Sequence, residues 1–277
     1  MIGWRPVGPA LLFCPADRPD RYGKAYDRAD MVILDLEDGV AEADKPAARA
    51  ALLAAAGGLD PARTVVRINA ADPGGHRAAD LALLDALDAA SAGPAAVMVP
   101  KATGAADVAA LAPRPVIALC ETAAGVLNAP EIAGAANCAA LSWGGEDLIA
   151  DLGGRSSRGP DGRYRDVVRA ARSRVLLSAA AARVTALDAI WTAIHDLDGL
   201  AAEAEDGAAS GFAGKILIHP GHVAAVRAAY RPTPERLDWA RRVVAAAETS
   251  AGAFTVDGQM VDAPAVAHAR AIIAAGE

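Results

Sequence analysis

The chain has 277 residues, which is enough for one large domain or two smaller ones. Hydrophobic residues make up 53% of it, many of them alanine, and aromatic residues only 4%, a composition that favours a layered α/β protein over an aromatic-rich β-sandwich. The formal net charge is −7, with both signs scattered along the chain. This pattern excludes a basic nucleic-acid-binding surface.

The cysteines and the apolar runs indicate the compartment. Cys14, Cys120 and Cys138 lie in apolar runs without CxxC spacing, which argues against a disulfide framework. The apolar run that begins at Ala10 is too short for the core of a signal peptide. No segment approaches the ~20 apolar residues that a membrane span needs. We therefore predict a cytoplasmic protein without a membrane partner.

Short runs rich in Val, Ile and Leu alternate with longer segments rich in Ala, Asp and Arg, a pattern typical of alternating strands and helices. The predicted strands are residues 10–15, 31–36, 64–68, 95–99, 116–120, 139–143, 185–190 and 215–218. Most are apolar throughout, as expected of parallel strands buried on both faces. Helical patterns include residues 45–56, 75–90, 164–182, 220–230 and 234–248.

Eight strand–helix repeats predict an α/β fold, a (β/α)₈ TIM barrel over residues 1–248. The alternative is a doubly wound sheet with a nucleotide at its switch point, but no Gly-x-Gly-x-x-Gly follows the first strand. Residues 249–277 lie beyond the eight repeats. We predict that they form a C-terminal lid or subunit contact, with a simple packing arm as the other interpretation.

In a TIM barrel, chemistry takes place at the carboxyl ends of the strands. Polar residues follow six of the predicted strands: Asp35, Glu37 and Asp38, then Arg67 and Asn69, Lys101, Glu121, Glu146 and Asp147, and finally His219. We expect these side chains to converge on one rim.

Glu121 and Asp147 end consecutive predicted strands, so their carboxylates should be neighbours. Two close carboxylates repel unless a cation or a shared proton compensates. Mg²⁺ fits, because it typically takes one or two carboxylates together with water or substrate oxygens. The alternatives are an ion pair with Arg67 or Lys101, or a helix N-cap formed by Asp147.

Arg67 follows two valines in a strand that should be buried, where an arginine needs an anionic partner. That partner is either an interior carboxylate such as Glu37 or a substrate carboxylate held bidentately, and we favour the substrate. Glu37 and Asp38 have two open roles: they orient metal-bound waters, or they neutralise Arg67 and Lys101.

Two other chemistries have little support. His219 and His222 are separated by a Pro-Gly turn and have no further Cys or His ligand nearby, which disfavours a zinc site. Nucleophilic catalysis lacks a Gly-x-Ser-x-Gly elbow and a histidine close in sequence to any cysteine.

The strand-end motifs resemble, in order, those of citrate lyase β-subunit-like proteins of the malyl-CoA lyase and HpcH/HpaI aldolase superfamily. The matching pieces are FCPADRPDR from Phe13, LDLEDGV from Leu34, VRIN from Val66, VPK from Val99, ALCET from Ala118, WGGEDL from Trp143, KILIHP from Lys215 and QMVDAP from Gln259. Together they span nearly the whole chain.

The resemblance implies a TIM barrel that assembles as a homotrimer or a multiple of trimers. It implies Mg²⁺ held by Glu121 and Asp147, and Mn²⁺ is the alternative cation that the sequence leaves open. It assigns Arg67 to the carboxylate of the keto-acid fragment, with Lys101 also at the substrate. It places Asp262 on a C-terminal lid that reaches the active site of a neighbouring subunit.

Coenzyme A contacts are also implied by the resemblance. They fall on Arg18 and Lys24 in the first loop and helix, and on Lys215, His219 and Pro220. The family more often has Pro-Gly-Ser or Pro-Gly-Asn where this chain has Pro15-Ala16-Asp17, so an acidic residue stands near the expected phosphate region.

The activity implied is Mg²⁺-dependent cleavage or formation of a carbon–carbon bond in a carboxylated 3-hydroxyacyl-CoA of the malyl, citramalyl or 3-hydroxy-3-methylglutaryl type. The products of cleavage are acetyl-CoA, or another acyl-CoA, and a keto acid. The alternatives are a CoA-independent metal-dependent aldolase acting on a hydroxy-keto acid, and a non-catalytic binding or assembly barrel.

Overall fold

The computed structural model describes residues 4–71, 75–250 and 252–276. The chain divides into two compact units, residues 1–226 and residues 227–277. Within the described ranges, no helix is both long and apolar enough to cross a membrane.

The first unit is a closed barrel of eight parallel strands that follow one another in chain order. The strands are β1 Ala10–Pro15, β2 Met31–Asp35, β3 Thr64–Arg67, β4 Ala96–Val99, β5 Val116–Cys120, β6 Cys138–Trp143, β7 Thr185–Asp188 and β8 Gly214–Leu217. The TIM-barrel prediction is confirmed. Each observed strand overlaps its predicted run and differs from it by two residues or fewer at either end.

Alternate residues of the strands fill the barrel interior, because successive side chains of a strand point to opposite faces. The buried interior cluster consists of Leu11, Met31, Ile33, Val65, Ala96, Met98, Ile117, Leu119, Ala140, Leu187 and Ile216. The interior is therefore a packed apolar core, and polar side chains that continue the same alternation must lie at its mouth.

Helices surround the barrel. Those of the first unit are α1 Tyr22–Arg28, α2 Lys45–Ala54, α3 His76–Ala89, α4 Ala105–Ala109, α5 Ala123–Leu127, α6 Ala129–Ala133, α7 Gly145–Asp151, α8 Asp166–Ala182 and α9 Leu197–Ser210, while α10 Val223–Tyr230 spans the division. The longest, α8, buries Val168, Ala171, Val175 and Ala179, at the three- and four-residue spacing of an amphipathic helix. It ends where Arg183 adopts a left-handed conformation.

The second unit contains α11 Pro234–Ala247, the antiparallel strands β9 Phe254–Val256 and β10 Gln259–Val261, and α12 Ala263–Gly276. Its own apolar core is formed by Ala240, Val243, Val256, Val261, Ala269 and Ile272. The observed division at residue 226 falls before the predicted one at residue 248. The physical reason is that α11 packs its apolar face against α12 and the hairpin.

Candidate active site

The barrel mouth carries three interior-facing charged residues, Asp35, Arg67 and Glu121. Each follows, by two positions, a strand residue of the apolar interior core, so the alternation turns it the same way. Asp35 and Arg67 are also register partners on the paired strands β2 and β3. These three side chains therefore form a charged layer directly above the apolar core.

Arg67 is held by interior carboxylates. Its Nε and Nη2 donate to the two oxygens of Asp35, both at 2.6 Å. Its Nη1 lies 2.8 Å from Oε2 of Glu37 without the alignment of a hydrogen bond, and its guanidinium carbon is 4.4 Å from the Phe13 ring centre. Burial alone lowers the pKa of Arg67, but Asp35 and Glu37 together raise it above its usual value.

Asp35 occupies one edge of the Arg67 guanidinium, for which we predicted a bidentate contact with a substrate carboxylate. The edge formed by Nε and Nη2 is committed to Asp35, so the N–H groups left for a substrate carboxylate are those of Nη1 and the second N–H of Nη2. The sequence left two partners open for Arg67, an interior carboxylate and a substrate. The interior carboxylate occupies one edge of the guanidinium, and the other edge is left for a substrate.

Asp35 organises the turn that follows β2. Besides Arg67, its oxygens accept hydrogen bonds from the backbone N–H groups of Glu37 at 2.9 Å and Gly39 at 2.8 Å. A Cβ at position 39 would lie 2.3 Å from an Asp35 oxygen, so the close approach requires glycine. Asp35 was in the sequence motif but was given no role there.

Glu37 sits between two cations. It is 5% exposed, and Nζ of Lys101 donates to its Oε1. Burial raises the pKa of Glu37, and the nearby charges of Arg67 and Lys101 oppose that shift. Asp38 is exposed, with an oxygen 3.7 Å from Nζ of Lys101. Of the two roles left open for Glu37 and Asp38, these contacts favour neutralisation of Arg67 and Lys101.

The Glu121 carboxylate is buried, and few neighbouring groups stabilise its negative charge. It is 3% exposed, and Oε1 accepts a hydrogen bond from the backbone N–H of Lys101 at 3.0 Å. Burial, and then the charges of Asp147 and Glu37, raise the pKa of Glu121 to about 8. Within the part of the chain that the structure describes, neither Glu121 nor Asp147 has a cationic side chain within 4.0 Å.

Glu121 and Asp147 line the same pocket, together with Arg67, Glu146 and Trp143. A pair of carboxylates in this position fits a hard divalent cation that keeps its remaining positions for water or substrate oxygens. No cluster of three or more Asp, Glu, His or Cys residues suited to a metal occurs among the described residues. The donor set present therefore fits Mg²⁺, or Mn²⁺, better than a cation that needs a complete protein cage.

Gly144 lets β6 pass close to Glu121. A Cβ on Gly144 would lie 2.8 Å from Oε2 and 3.1 Å from Cβ of Glu121. On the other side, Lys101 adopts a left-handed backbone with a φ of 51°, and its N–H group points at Glu121. The backbone of two neighbouring loops thus fixes the position of this carboxylate.

The histidines after β8 do not form a metal pair. Nε2 of His222 contacts the carbonyl oxygen of Ile194 at 3.0 Å, so this nitrogen carries the proton. His219 is exposed and accepts a hydrogen bond from the backbone N–H of Gly221 through Nδ1. Pro220 is also exposed, so the rim after β8 keeps a surface that a ligand can reach.

The position of the Lys215 side chain contradicts the prediction that it contacts coenzyme A. Because Ile216 faces the barrel interior, Lys215 points the opposite way, toward the helices. It is fully buried, with Nζ 2.9 Å from Oε1 of Glu203 on α9 and 3.4 Å from Oδ2 of its register partner Asp188. Lys215 is a structural cation and is not available to a nucleotide.

The other predicted coenzyme A contacts remain accessible. Arg18 is 43% exposed and pairs with Asp20 at 3.0 Å, and Lys24 is exposed on α1. Asp17 has a buried Oδ1 without a hydrogen-bond partner. An anionic phosphate beside Asp17 is unfavourable, so Arg18 and Lys24 must outweigh that carboxylate if this rim binds a nucleotide.

Asp262 is the N-cap of a helix. Its Oδ1 accepts a hydrogen bond from the backbone N–H of Ala265 at 3.2 Å, at the beginning of α12. The residue belongs to the second compact unit. Capping is therefore an observed role of Asp262.

A parallel eight-stranded barrel with a buried glutamate, a neighbouring aspartate and an arginine at its mouth defines a (β/α)₈-barrel protein with a carboxylate-lined site at the carboxyl ends of its strands. The chain belongs to the HpcH/HpaI aldolase/citrate lyase family, whose model matches residues 10–220.

Relatives support this membership. A citrate lyase subunit beta-like protein of Mycobacterium tuberculosis is 55% identical over 269 residues, 97% of this chain and 96% of the relative. A (3S)-malyl-CoA thioesterase of Cereibacter sphaeroides is 36% identical, over 97% and 94% of the two chains. The crystal structure of M. tuberculosis CitE in complex with magnesium, acetoacetate and coenzyme A is 52% identical, covers 99% of each chain and has a TM-score of 0.90.

Lys215→Met should destabilise the fold without changing coenzyme A affinity. Removing one partner of a buried ion pair typically costs ~3–5 kcal/mol, so we expect a loss at the lower end of that range, since Arg172 and Arg158 still neutralise Asp188 and Glu203. Urea unfolding measures the change, with the exposed Lys24→Met as control. Unchanged stability together with lost coenzyme A binding would restore the original prediction.

The metal-free protein should lose stability as pH rises toward 8. Because the folded-state pKa of Glu121, about 8, is above the ordinary glutamate pKa of 4.5, the folded protein binds a proton that the unfolded chain has released between these values. Between pH 6 and pH 8 the loss is on the order of 2 kcal/mol relative to Glu121→Gln. Denaturant unfolding of both proteins in chelator measures it, and parallel pH profiles would contradict it.

Gly144→Ala should displace the Glu121 carboxylate, because the added methyl group meets Oε2. We expect Mg²⁺ affinity, measured by titration calorimetry, to fall about tenfold or more, since Mg²⁺ demands near-ideal geometry. Gly23→Ala is the matched control, because nothing lies within 4 Å of a Cβ there. Equal affinity in both variants would show that Glu121 is not held in place by this approach.

Proposed function

We propose that this protein is a Mg²⁺-dependent lyase that cleaves, or in reverse forms, the carbon–carbon bond of a carboxylated 3-hydroxyacyl-CoA. The observation that carries the proposal is the pair formed by the buried Glu121 and the partly buried Asp147, which lacks a cationic partner among the described residues and shares a pocket with Arg67. The M. tuberculosis complex with magnesium, acetoacetate and coenzyme A supports it, because those ligands represent the metal, a keto acid and the thioester carrier.

Glu121 and Asp147 would hold the metal, and water or substrate oxygens would complete its coordination. When bound, Mg²⁺ supplies positive charge next to the substrate oxygen whose charge changes as the bond breaks. Nη1 of Arg67 adds positive charge from the same rim, held in place by Asp35 and the Phe13 ring. Glu37 and Asp38 keep Lys101 and Arg67 in position and balance their charge.

In the cleavage direction the 3-hydroxyl group releases its proton to solvent, the carbon–carbon bond next to it breaks, and the bonding electrons pass to the thioester as an enolate. A proton must then reach the terminal carbon to give acetyl-CoA, and the other product is the keto acid. We assign that proton transfer to Asp262 of a neighbouring subunit, with residues 249–277 acting as a lid that excludes water. This assignment requires an oligomer, for which we propose a homotrimer or a multiple of trimers.

The case for coenzyme A rests on fewer residues than the sequence suggested. Lys215 no longer contributes, and Arg18, Lys24, His219 and Pro220 remain exposed at the rim. A CoA-independent aldolase would use the same metal site and Arg67, so it is the main alternative within lyase chemistry.

We also propose a cytoplasmic location. The free thiols of Cys14, Cys120 and Cys138 are buried, and burial raises the pKa of the Cys120 and Cys138 thiols, which is compatible with that location.

Thioester hydrolysis is a second candidate, because a relative with this activity in its name is 36% identical over almost the whole chain. Hydrolysis needs the same coenzyme A rim and metal pair but a water molecule as the attacking group. The products separate the two reactions: a lyase releases acetyl-CoA and a keto acid, and a thioesterase releases free coenzyme A and a hydroxy acid.

A substrate panel tests the proposal. Malyl-CoA, citramalyl-CoA and 3-hydroxy-3-methylglutaryl-CoA are incubated with the purified protein in Mg²⁺ and in EDTA, and acetyl-CoA, free coenzyme A and keto acid are quantified by chromatography. We expect acetyl-CoA and keto acid from one substrate, in equal amounts, and only with Mg²⁺. Free coenzyme A without keto acid would favour the thioesterase. If the protein binds Mg²⁺ but forms no product from any of the three substrates, the result would favour the aldolase or the binding role.

The same assay separates the two roles of Asp262. Asp262→Asn keeps an N-cap, since Asn and Asp cap helices about equally well, and removes only the charge. We expect a loss of turnover of at least about a hundredfold, the lower end of what a general acid or base contributes, with unchanged Mg²⁺ affinity. Co-expression with a Glu121→Gln chain should restore part of the activity in mixed oligomers. Wild-type turnover in Asp262→Asn would leave capping as its role.

A further inference from the structure

Two carboxylates follow β6 side by side, Glu146 and Asp147, and only one of them has been assigned to the metal. Both line the pocket that contains Glu121. They stand in the first turn of α7, where the partial positive charge of a helix N-terminus favours negative side chains. A cation held by Glu121 and Asp147 thus has a third carboxylate in the same pocket.

Ser157 holds Glu146. The hydroxyl group of Ser157 donates a hydrogen bond to Oε1 of Glu146 at 2.5 Å. Ser157 is 3% exposed, whereas Glu146 is exposed, so the buried hydroxyl fixes the end of a side chain that is otherwise free to move. In the described chain Glu146 forms no ion pair.

The backbone that carries Ser157 is anchored by several contacts. The backbone carbonyl of Ser157 accepts a hydrogen bond from the N–H of Arg165 at 2.9 Å, and a β-bridge joins Arg158 to Tyr164. The guanidinium carbon of Arg158 lies 3.6 Å from the Tyr164 ring centre and 4.4 Å from the Trp191 ring centre.

Two further contacts anchor this loop. Arg158 also pairs with Glu203 at 2.6 Å, and Tyr164 meets the ring of Trp143 edge-on with the centres 5.3 Å apart. The loop from Ser157 to Tyr164 is thus attached both to α9 and to the last residue of β6, immediately before the turn that carries Glu146 and Asp147.

The electrostatics agree with a Glu146 carboxylate that is turned toward this loop. The charges that raise the pKa of Glu121 are those of Asp147 and Glu37. The charge of Glu146 instead contributes to the raised pKa of Tyr164, after burial and the charges of Glu203 and Asp188. This contribution agrees with the hydrogen bond that Ser157 donates to Glu146.

We propose that Ser157 is a positioning residue for cation selectivity: its hydrogen bond keeps Glu146 out of the coordination sphere, so that the site offers two carboxylates and not three. This inference rests on the proposed metal site. Mg²⁺ demands octahedral geometry and usually takes one or two carboxylates, whereas Ca²⁺ accepts six to eight oxygens in flexible geometry. A free third carboxylate therefore favours Ca²⁺ more than Mg²⁺.

The test measures Mg²⁺, Mn²⁺ and Ca²⁺ binding to the full chain by titration calorimetry, without substrate. In Ser157→Ala we expect the ratio of Ca²⁺ to Mg²⁺ affinity to rise about tenfold or more, because ligand charge count tunes Ca²⁺ affinity over several orders of magnitude. Ser157→Thr keeps a hydroxyl group and should behave as wild type. Ser156→Ala is the matched control, because its exposed hydroxyl contacts only the Arg158 backbone.

A double variant identifies the carboxylate involved. Adding Glu146→Gln to Ser157→Ala should return the affinity ratio to the wild-type value, and circular dichroism melting shows whether each variant is folded. A ratio that is unchanged in Ser157→Ala, or that stays high in the double variant, overturns the inference while the metal site stands. A wild-type protein that binds no Mg²⁺ overturns both this inference and the proposed function.

Discussion

The bidentate ion pair between Arg67 and Asp35 fixes the turn after β2 and the position of Glu37 at the barrel mouth. It exists because β2 and β3 pair in a register that sets these two residues side by side above the apolar interior. Asp35 also fixes the backbone of the following turn, and that turn carries Glu37 to the third guanidinium nitrogen. Burying a charged pair above an apolar core costs desolvation free energy, which hydrogen bonds to its members offset. The backbone N–H groups of the following turn supply such hydrogen bonds to Asp35, so the pair also fixes that turn.

Charge balance links this pair to the proposed chemistry. Arg67 and Lys101 neutralise Asp35 and Glu37, which leaves Glu121 and Asp147 as an excess of negative charge in the same pocket. Without a cation, burial and mutual repulsion favour a protonated Glu121. A divalent cation is the simplest partner for this excess, and the relatives solved with magnesium belong to the same family.

Side chains on the outward faces of the strands form ion pairs with the surrounding helices, and these pairs support the loops at the barrel mouth. Lys215 and Asp188 turn away from the interior and, with Arg172 and Glu203, form buried ion pairs against α8 and α9. The indole N–H of Trp143 donates to Asp188 at 2.9 Å, directly before the turn that carries Asp147. Lys215, which resembles a ligand contact in the sequence, therefore stabilises the scaffold.

The sequence by itself determined the eight strands and the identity of the polar residues at their ends, because buried parallel strands are continuous apolar runs and a charge after such a run is conspicuous. It also determined the family, through motifs spread over the whole chain. Only the tertiary structure decided the partners: that Asp35 pairs with Arg67, that Lys215 is buried, that Ser157 holds Glu146, and that α11 packs with the C-terminal hairpin and helix. Strand register and the inward or outward direction of each side chain decide such contacts. A shift of one residue reverses every direction, so they depend on how the strands and helices pack together.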